Sequence, residues 1–176
     1  LIARGGAIGD FILTLPVFQA LKASFSQATL ACLSPVGRGE IVQMTGMVDE
    51  IRNLDDRCWA SFFAENGQHD EAVCEWLSSF NCIVSFLHDP KGIWETNVVR
   101  VSGALFLKGC HRPVDDVGEP ASMALLRALE PLGIFNVDPA PRICLSVPRL
   151  NSETIALHPG SGSESKNWPV QNFKYE

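Results

Sequence analysis

The chain has 176 residues, 46% of them hydrophobic and 19% charged, with a formal net charge of -6. That balance describes a globular chain with a buried core and excludes a disordered one. The acidic total argues against a nucleic-acid partner, whose binding surface is basic.

Residues 1–4 (Leu-Ile-Ala-Arg) read as the tail of a buried strand, and residues 5–9 as a glycine turn. Asp10 then sits at the N-terminus of a helix whose apolar face is Phe11, Leu15, Phe18, Leu21 and Phe25. Pro16 leaves two options: a kinked helix, or one that starts near Thr14 with the proline in its first turn. Further strands are expected at 28–33, 50–53, 81–87 and 104–108. Helices are expected at 40–45, 58–65, 71–80, 92–102 and 120–132, the last stopped by Gly133. Trp76 and Phe80 lie on the apolar stripe of the stretch 71–80 and read as core. Residues 136–152, with Pro139, Pro141 and Pro148, form a linker that contains a short strand at 142–145. A fresh strand opens at 154–157. Strands alternating with helices predict a parallel sheet covered on both faces.

The six cysteines lack any Cys-x-x-Cys spacing and sit among apolar neighbours. They read as reduced, packed thiols of a cytosolic protein rather than as a zinc site. No apolar run reaches the roughly 20 residues of a membrane span, and the start is too short for a signal peptide. The chain begins inside a strand without Met and stops where a helix should begin, so it reads as a piece of a longer protein.

Ligands of open α/β sheets bind at the carboxyl ends of strands, beside helix N-termini. Two segments suit that position. In the first, Gly5, Gly6 and Gly9 let the backbone bend and let another molecule approach. Asp10 follows, where a helix N-terminus favours its ionised form. Asp10 is either a helix cap or the general base for a hydroxyl. The glycines lack the Gly-x-Gly-x-x-Gly order of a dinucleotide site. The second segment is residues 158–169, His-Pro-Gly-Ser-Gly-Ser-Glu-Ser-Lys-Asn-Trp-Pro. Ser161, Gly162 and Ser163 offer N–H groups and hydroxyls to phosphate, and Lys166 adds a cation. The alternative is a polar loop with a solvated lysine. Weaker candidates are His88-Asp89, read as a turn, and the loop pairs Asp55-Asp56 and Asp115-Asp116. Arg100, Lys108, His111 and Arg112 read as a solvated basic stretch. The metal-holding pattern Asp-x-Asp is absent.

Residues 4–16, Arg-Gly-Gly-Ala-Ile-Gly-Asp-Phe-Ile-Leu-Thr-Leu-Pro, with Ala20-Leu21-Lys22, resemble the opening of family 9 glycosyltransferases, the ADP-heptose:lipopolysaccharide heptosyltransferases. Residues 155–162, Ile-Ala-Leu-His-Pro-Gly-Ser-Gly, with Lys166, Trp168-Pro169 and Asn172-Phe173, are similar to the start of that family's second domain. Residues 100–104, Arg-Val-Ser-Gly-Ala, are similar to a segment between them. The resemblance implies a GT-B fold of two Rossmann-like domains. Residues 1–146 would be the acceptor-side domain, 147–153 the linker, and 154–176 the first strand and loop of the donor domain. It also implies an inverting transfer that needs no metal and no cofactor. Asp10 matches the catalytic base, and Ser161, Gly162, Ser163 and Lys166 match the donor-phosphate loop. The implied partners are a nucleotide-sugar donor, ADP-heptose, and a lipid-linked oligosaccharide acceptor, met by peripheral contact at the cytoplasmic face of the inner membrane. The rest of the donor domain lies beyond this sequence, so the piece itself is expected to be inactive and to expose the apolar flanks of strand 154–157. Competing readings are a non-catalytic binding module derived from such a transferase and a Rossmann oxidoreductase. The glycine spacing weighs against the latter.

Overall fold

The computed structural model describes residues 1–113, 118–143, 160, 162, 167–169, 171 and 172. The chain divides into two compact units, Leu1–Leu145 and Ser146–Glu176. The expected strand 154–157 and linker 147–153 lie outside the described residues, as does the Asp115-Asp116 pair.

The first unit is built on five parallel strands: β1 (Ile2–Ala3), β2 (Ala31–Ser34), β3 (Glu50–Asn53), β4 (Cys82–Ser85) and β5 (Leu105–Lys108), in the order β3-β2-β1-β4-β5. This is the α/β Rossmann-like architecture that alternating strands and helices predict. Residue Ile2 pairs with Cys32 on one side and Val84 on the other, so β1 is central. The strands alternate between two apolar layers, as a period of two requires. Ile2, Cys32 and Val84 pack with Phe11, Leu15, Phe18, Val42, Leu125 and Leu129. Leu1, Ala3, Ala31, Leu33 and Ile83 face the other way, toward Trp59, Phe62, Trp76, Leu77, Trp94 and Val98. The edge strands are only partly covered, and β3 carries Glu50 and Arg52 on its edge, paired at 3.0 Å. Charge there discourages further strand pairing.

The helical stretch after the glycine turn is two helices, α1 (Ile8–Ile12) and α2 (Leu15–Ser24), with Thr14 capping the second and Pro16 in its first turn. The second reading of Pro16 therefore holds, because a proline in the first turn removes only a donor that would be unpaired anyway. Phe25, expected on the apolar face, is 45% exposed because the backbone leaves the helix there at φ -129. Helices α3 (Gly39–Met44), α4 (Glu71–Ser78) and α5 (Ile93–Ser102) follow the expected positions. Residues 57–63 form a 3-10 helix rather than the expected α-helix. Three residues per turn stack Trp59 and Phe62 on one buried face, 5.9 Å apart. The stretch 120–132 splits into α6 (Ala121–Leu126) and a 3-10 turn, Arg127–Leu132, closed by Gly133 at φ 75. Arg142 and Ile143, expected to open a strand, belong to no helix or strand. Cys32, Cys58, Cys74, Cys82 and Cys110 are free thiols, and burial pushes Cys32 up to about 12.

A polar cluster ties the first 3-10 helix to α5. Arg100 Nη2 donates to His69 Nε2 at 2.7 Å, which leaves the ring proton on Nδ1, 3.1 Å from Ser61 Oγ. The His69 ring stacks on Phe62 at 4.0 Å. Partial burial, then the Arg100 charge, hold His69 below its ordinary 6.5. The unfolded chain therefore binds this proton more readily than the fold does. The stabilisation is complete above pH 6.5 and is lost as pH falls from there through the lower folded value. Thermal denaturation should show a lower Tm at pH 5 than at pH 7, with His69→Gln flattening part of that slope. An unchanged slope in the variant would contradict this assignment.

Candidate active site

Chain order reverses between β1 and β4: β2 and β3 lie to one side of β1, and β4 and β5 to the other. Such a switch point opens a crevice at the carboxyl ends of the strands. The loops after β1, β4 and β5 all reach it.

The loop after β1 enters α1 through Ala7, which has no side-chain oxygen to cap the helix. The acceptor comes from inside the first turn, where Asp10 Oδ2 takes the Ala7 N–H at 3.2 Å. Asp10 is therefore the third residue of α1, not its cap, because the helix starts two residues earlier than the sequence suggests. The cap-like role and the open carboxylate are compatible: one oxygen holds the loop, and Oδ1 makes no hydrogen bond to another described residue. Gly6 is required here. It adopts φ +89, and a Cβ on it would lie 3.1 Å from Asp10 Oδ2. A Cβ on Gly5 would meet Leu87 at an ordinary 3.4 Å, and one on Gly9 would meet nothing within 4 Å. Gly9 thus leaves bare, exposed backbone beside Asp10.

The main chain of Asp10 is held separately. Before the break ahead of Pro16, Thr14 N–H turns to Phe11 O at 2.9 Å instead of to Asp10 O. The Asp10 carbonyl loses its helical donor and accepts instead from Arg4 Nη2 at 3.1 Å and Thr14 Oγ1 at 3.0 Å. Arg4 is 1% exposed. Its Nη1 reaches His111 O at 2.8 Å and Phe86 O at 3.4 Å, and the guanidinium lies 5.8 Å from the Phe86 ring. Burial depresses its basicity, and the Asp10 charge is the largest influence opposing that. In the sequence Arg4 reads as a strand end and as the first residue of the family-like segment, with no role of its own. A charged residue closing an apolar strand just before a glycine turn was the available signal, since buried arginines are almost always paired.

On the other side of the switch point, the His88 and His111 rings lie 4.7 Å apart. Partial desolvation, then the charges of His88 and Arg4, lower the pKa of His111 from 6.5. Asp89 is a capping turn residue as expected, accepting Glu95 N–H of α5 at 3.0 Å. Asp55 and Asp56 are likewise bound within a turn to Asn53, at 3.0 and 2.8 Å. The basic stretch is at the surface as expected, with Arg100 and Lys108 exposed; Lys108 pairs with Glu95 at 3.4 Å and Arg100 turns to His69. His111 and Arg112 remain exposed after β5.

The structure thus brings Gly5 and Gly6 of the loop together with Gly9 and Asp10 in the first turn of α1. Gly162 belongs to the second unit and is exposed, with open space where a Cβ would be. Ser161, Ser163 and Lys166 lie outside the described residues. In the same unit Asn172 N–H closes a turn on Pro169 O at 2.9 Å. Among the described residues no group of three or more His, Cys, Asp or Glu side chains is placed to hold a metal, and no helix is long and apolar enough to cross a membrane. A cavity of about 730 Å³ opens at the amino ends of the strands, lined by Leu1, Leu30, Phe80, Asn81 and Cys82. It lies at the opposite end of the strands from the Asp10 loop.

No family model matches the chain, and no curated protein matches it in sequence. Its structure is similar to that of a family 9 glycosyl transferase from Veillonella parvula DSM 2008, with TM-score 0.64 and 15% identity, over 99% of this chain and 57% of that one. The chain therefore spans little more than half of that relative's length. A solved structure of E. coli heptosyltransferase WaaC with ADP aligns at TM-score 0.48 and 13% identity, over 76% of this chain and 47% of that one. The likeness to the Veillonella transferase is a likeness of fold.

Proposed function

We propose that this chain is the acceptor-side domain, with the opening of the donor domain, of a GT-B glycosyltransferase of family 9. The observation that carries the reading is the Asp10 carboxylate, held by a glycine loop at the switch point of a fold similar to a family 9 glycosyl transferase. The residue that the resemblance makes the base is the one whose second oxygen makes no hydrogen bond to another described residue. The proposed reaction moves a heptose-type sugar from a nucleoside diphosphate, ADP-heptose, to a hydroxyl of a lipopolysaccharide core or related glycan.

In this reading Asp10 takes the proton from the acceptor hydroxyl, whose oxygen attacks the anomeric carbon opposite the leaving diphosphate, inverting the centre. Gly9 beside it gives the acceptor room to approach. Ser161, Gly162, Ser163 and Lys166 bind the diphosphate, and Lys166 offsets the charge that grows as the bond breaks. Two domains closing on donor and acceptor align them and exclude water. The acceptor is lipid-linked, so the protein works in the cytoplasm at the inner-membrane surface.

Lys166→Ala should weaken nucleoside diphosphate binding by about 1–3 kcal/mol, the value of a charge-assisted contact. Calorimetry with ADP checks this, and unchanged affinity would remove the phosphate-loop assignment. The reading as a whole is tested by offering the full-length protein a panel of nucleotide sugars and a glycan acceptor, with and without chelator. Release of nucleoside diphosphate that survives chelation is expected. Turnover with none of them would favour a non-catalytic binding module, and loss on chelation would overturn the metal-free mechanism.

A further inference from the structure

We infer that Arg4 is a positioning residue that fixes the Asp10 carboxylate through its backbone; this rests on the reading of Asp10 as the base. A buried guanidinium is expensive to desolvate, and an apolar side chain of similar volume would fill the same space at no such cost. Packing alone therefore gives no reason for an arginine at this position. Its donors converge on the carbonyls of Asp10, Phe86 and His111, at 3.1, 3.4 and 2.8 Å. Those carbonyls lie in the segments that follow β1, β4 and β5, which are the segments that surround the switch point. Only a planar fork reaches several acceptors at once from one stem. Arg4 Nε is buried without a partner, so the fork is spent on these carbonyls rather than satisfied in full.

The helix break makes the link to Asp10 specific. The Asp10 carbonyl has no backbone donor from its own helix and, among the described residues, is held by Arg4 and by buried Thr14. Its carboxylate is fixed at one oxygen by a loop amide, in space that a side chain at Gly6 would take. Main chain and side chain of one residue are thus anchored by different groups, and the carboxylate's direction follows from the first. A displacement of about 1 Å in a reacting group costs on the order of 100-fold in rate. Lysine at position 4 keeps the cation, but its three donors share one nitrogen and lack the planar spread with which the guanidinium reaches the three carbonyls.

The test is a double-mutant cycle in the full-length protein, using transfer from the nucleotide sugar that the panel identifies. Arg4→Lys should lower kcat about 10–100-fold, with the donor KM changed less than about 2-fold. In an Asp10→Asn background it should change the residual rate less than about 2-fold, because the group it positions no longer acts. Thr14→Val, which removes the other donor to the same carbonyl at nearly equal volume, should lower kcat in the same pattern and serves if Arg4→Lys does not fold. Equal losses in both backgrounds, or kcat and KM moving together, would make Arg4 a merely structural residue and overturn the inference. If Asp10→Asn itself transfers sugar at the parent rate, the base assignment fails instead, whatever Arg4 does.

Discussion

Asp10→Asn in the full-length protein is expected to lower sugar transfer by about 10²–10⁴-fold, the usual contribution of a positioned general base. Asparagine is chosen because its amide oxygen can still accept the Ala7 N–H that Asp10 Oδ2 takes at 3.2 Å. The start of α1 stays closed and the main-chain bonds from Arg4 and Thr14 are untouched. What is removed is the basic carboxylate itself. Donor affinity and Tm should therefore stay near the parent values, separating chemistry from folding. A variant that transfers at the parent rate would show that Asp10 only closes the helix.

Gly109→Ala should cost the most stability among small changes near the site. Gly109 follows β5 and donates its N–H to Ser85 O at 2.8 Å, which pins the backbone there. A Cβ at this position would overlap the Phe86 ring at Cδ1 and Cε1 and lie 3.0 Å from Cζ. The ring is fully buried and belongs to the layer formed with Phe11, Phe18 and Leu125. It has no open space to turn into. Overpacking of this kind costs about 1–3 kcal/mol, which lowers Tm by several degrees in a domain of this size. Because Phe86 also underlies Arg4, transfer by the full-length protein should fall as well. A parent-like Tm in thermal denaturation would mean the ring rearranges at little cost.

The fold was legible because its signals are local. Ile2, Cys32 and Val84 alternate with Ala3, Leu33 and Ile83 between two layers, and that alternation is written in short apolar runs. The glycine turn and Asp10 were legible for the same reason: Gly6 and Asp10 constrain each other across four positions of chain. The 3-10 helix at 57–63 was misread because Trp59 and Phe62, three apart, fit either helical period. Arg4 was missed because its acceptors, Phe86 and His111, lie 82 and 107 positions away. No window of sequence contains them, and only the sheet order brings them together. The start of α1 was misplaced because its first residues, Ile8 and Gly9, follow an alanine that carries no capping side chain. The acidic residue closing that turn stands inside the helix instead of before it.

The proposed transfer depends on Asp10 acting as the base toward a bound nucleoside diphosphate sugar. A crystal structure of the full-length protein with a nucleoside diphosphate tests it most directly. The expected result is a diphosphate on residues 160–166, with the Asp10 carboxylate facing the side from which a sugar hydroxyl would attack. A diphosphate seated on a surface that Asp10 does not face would contradict it.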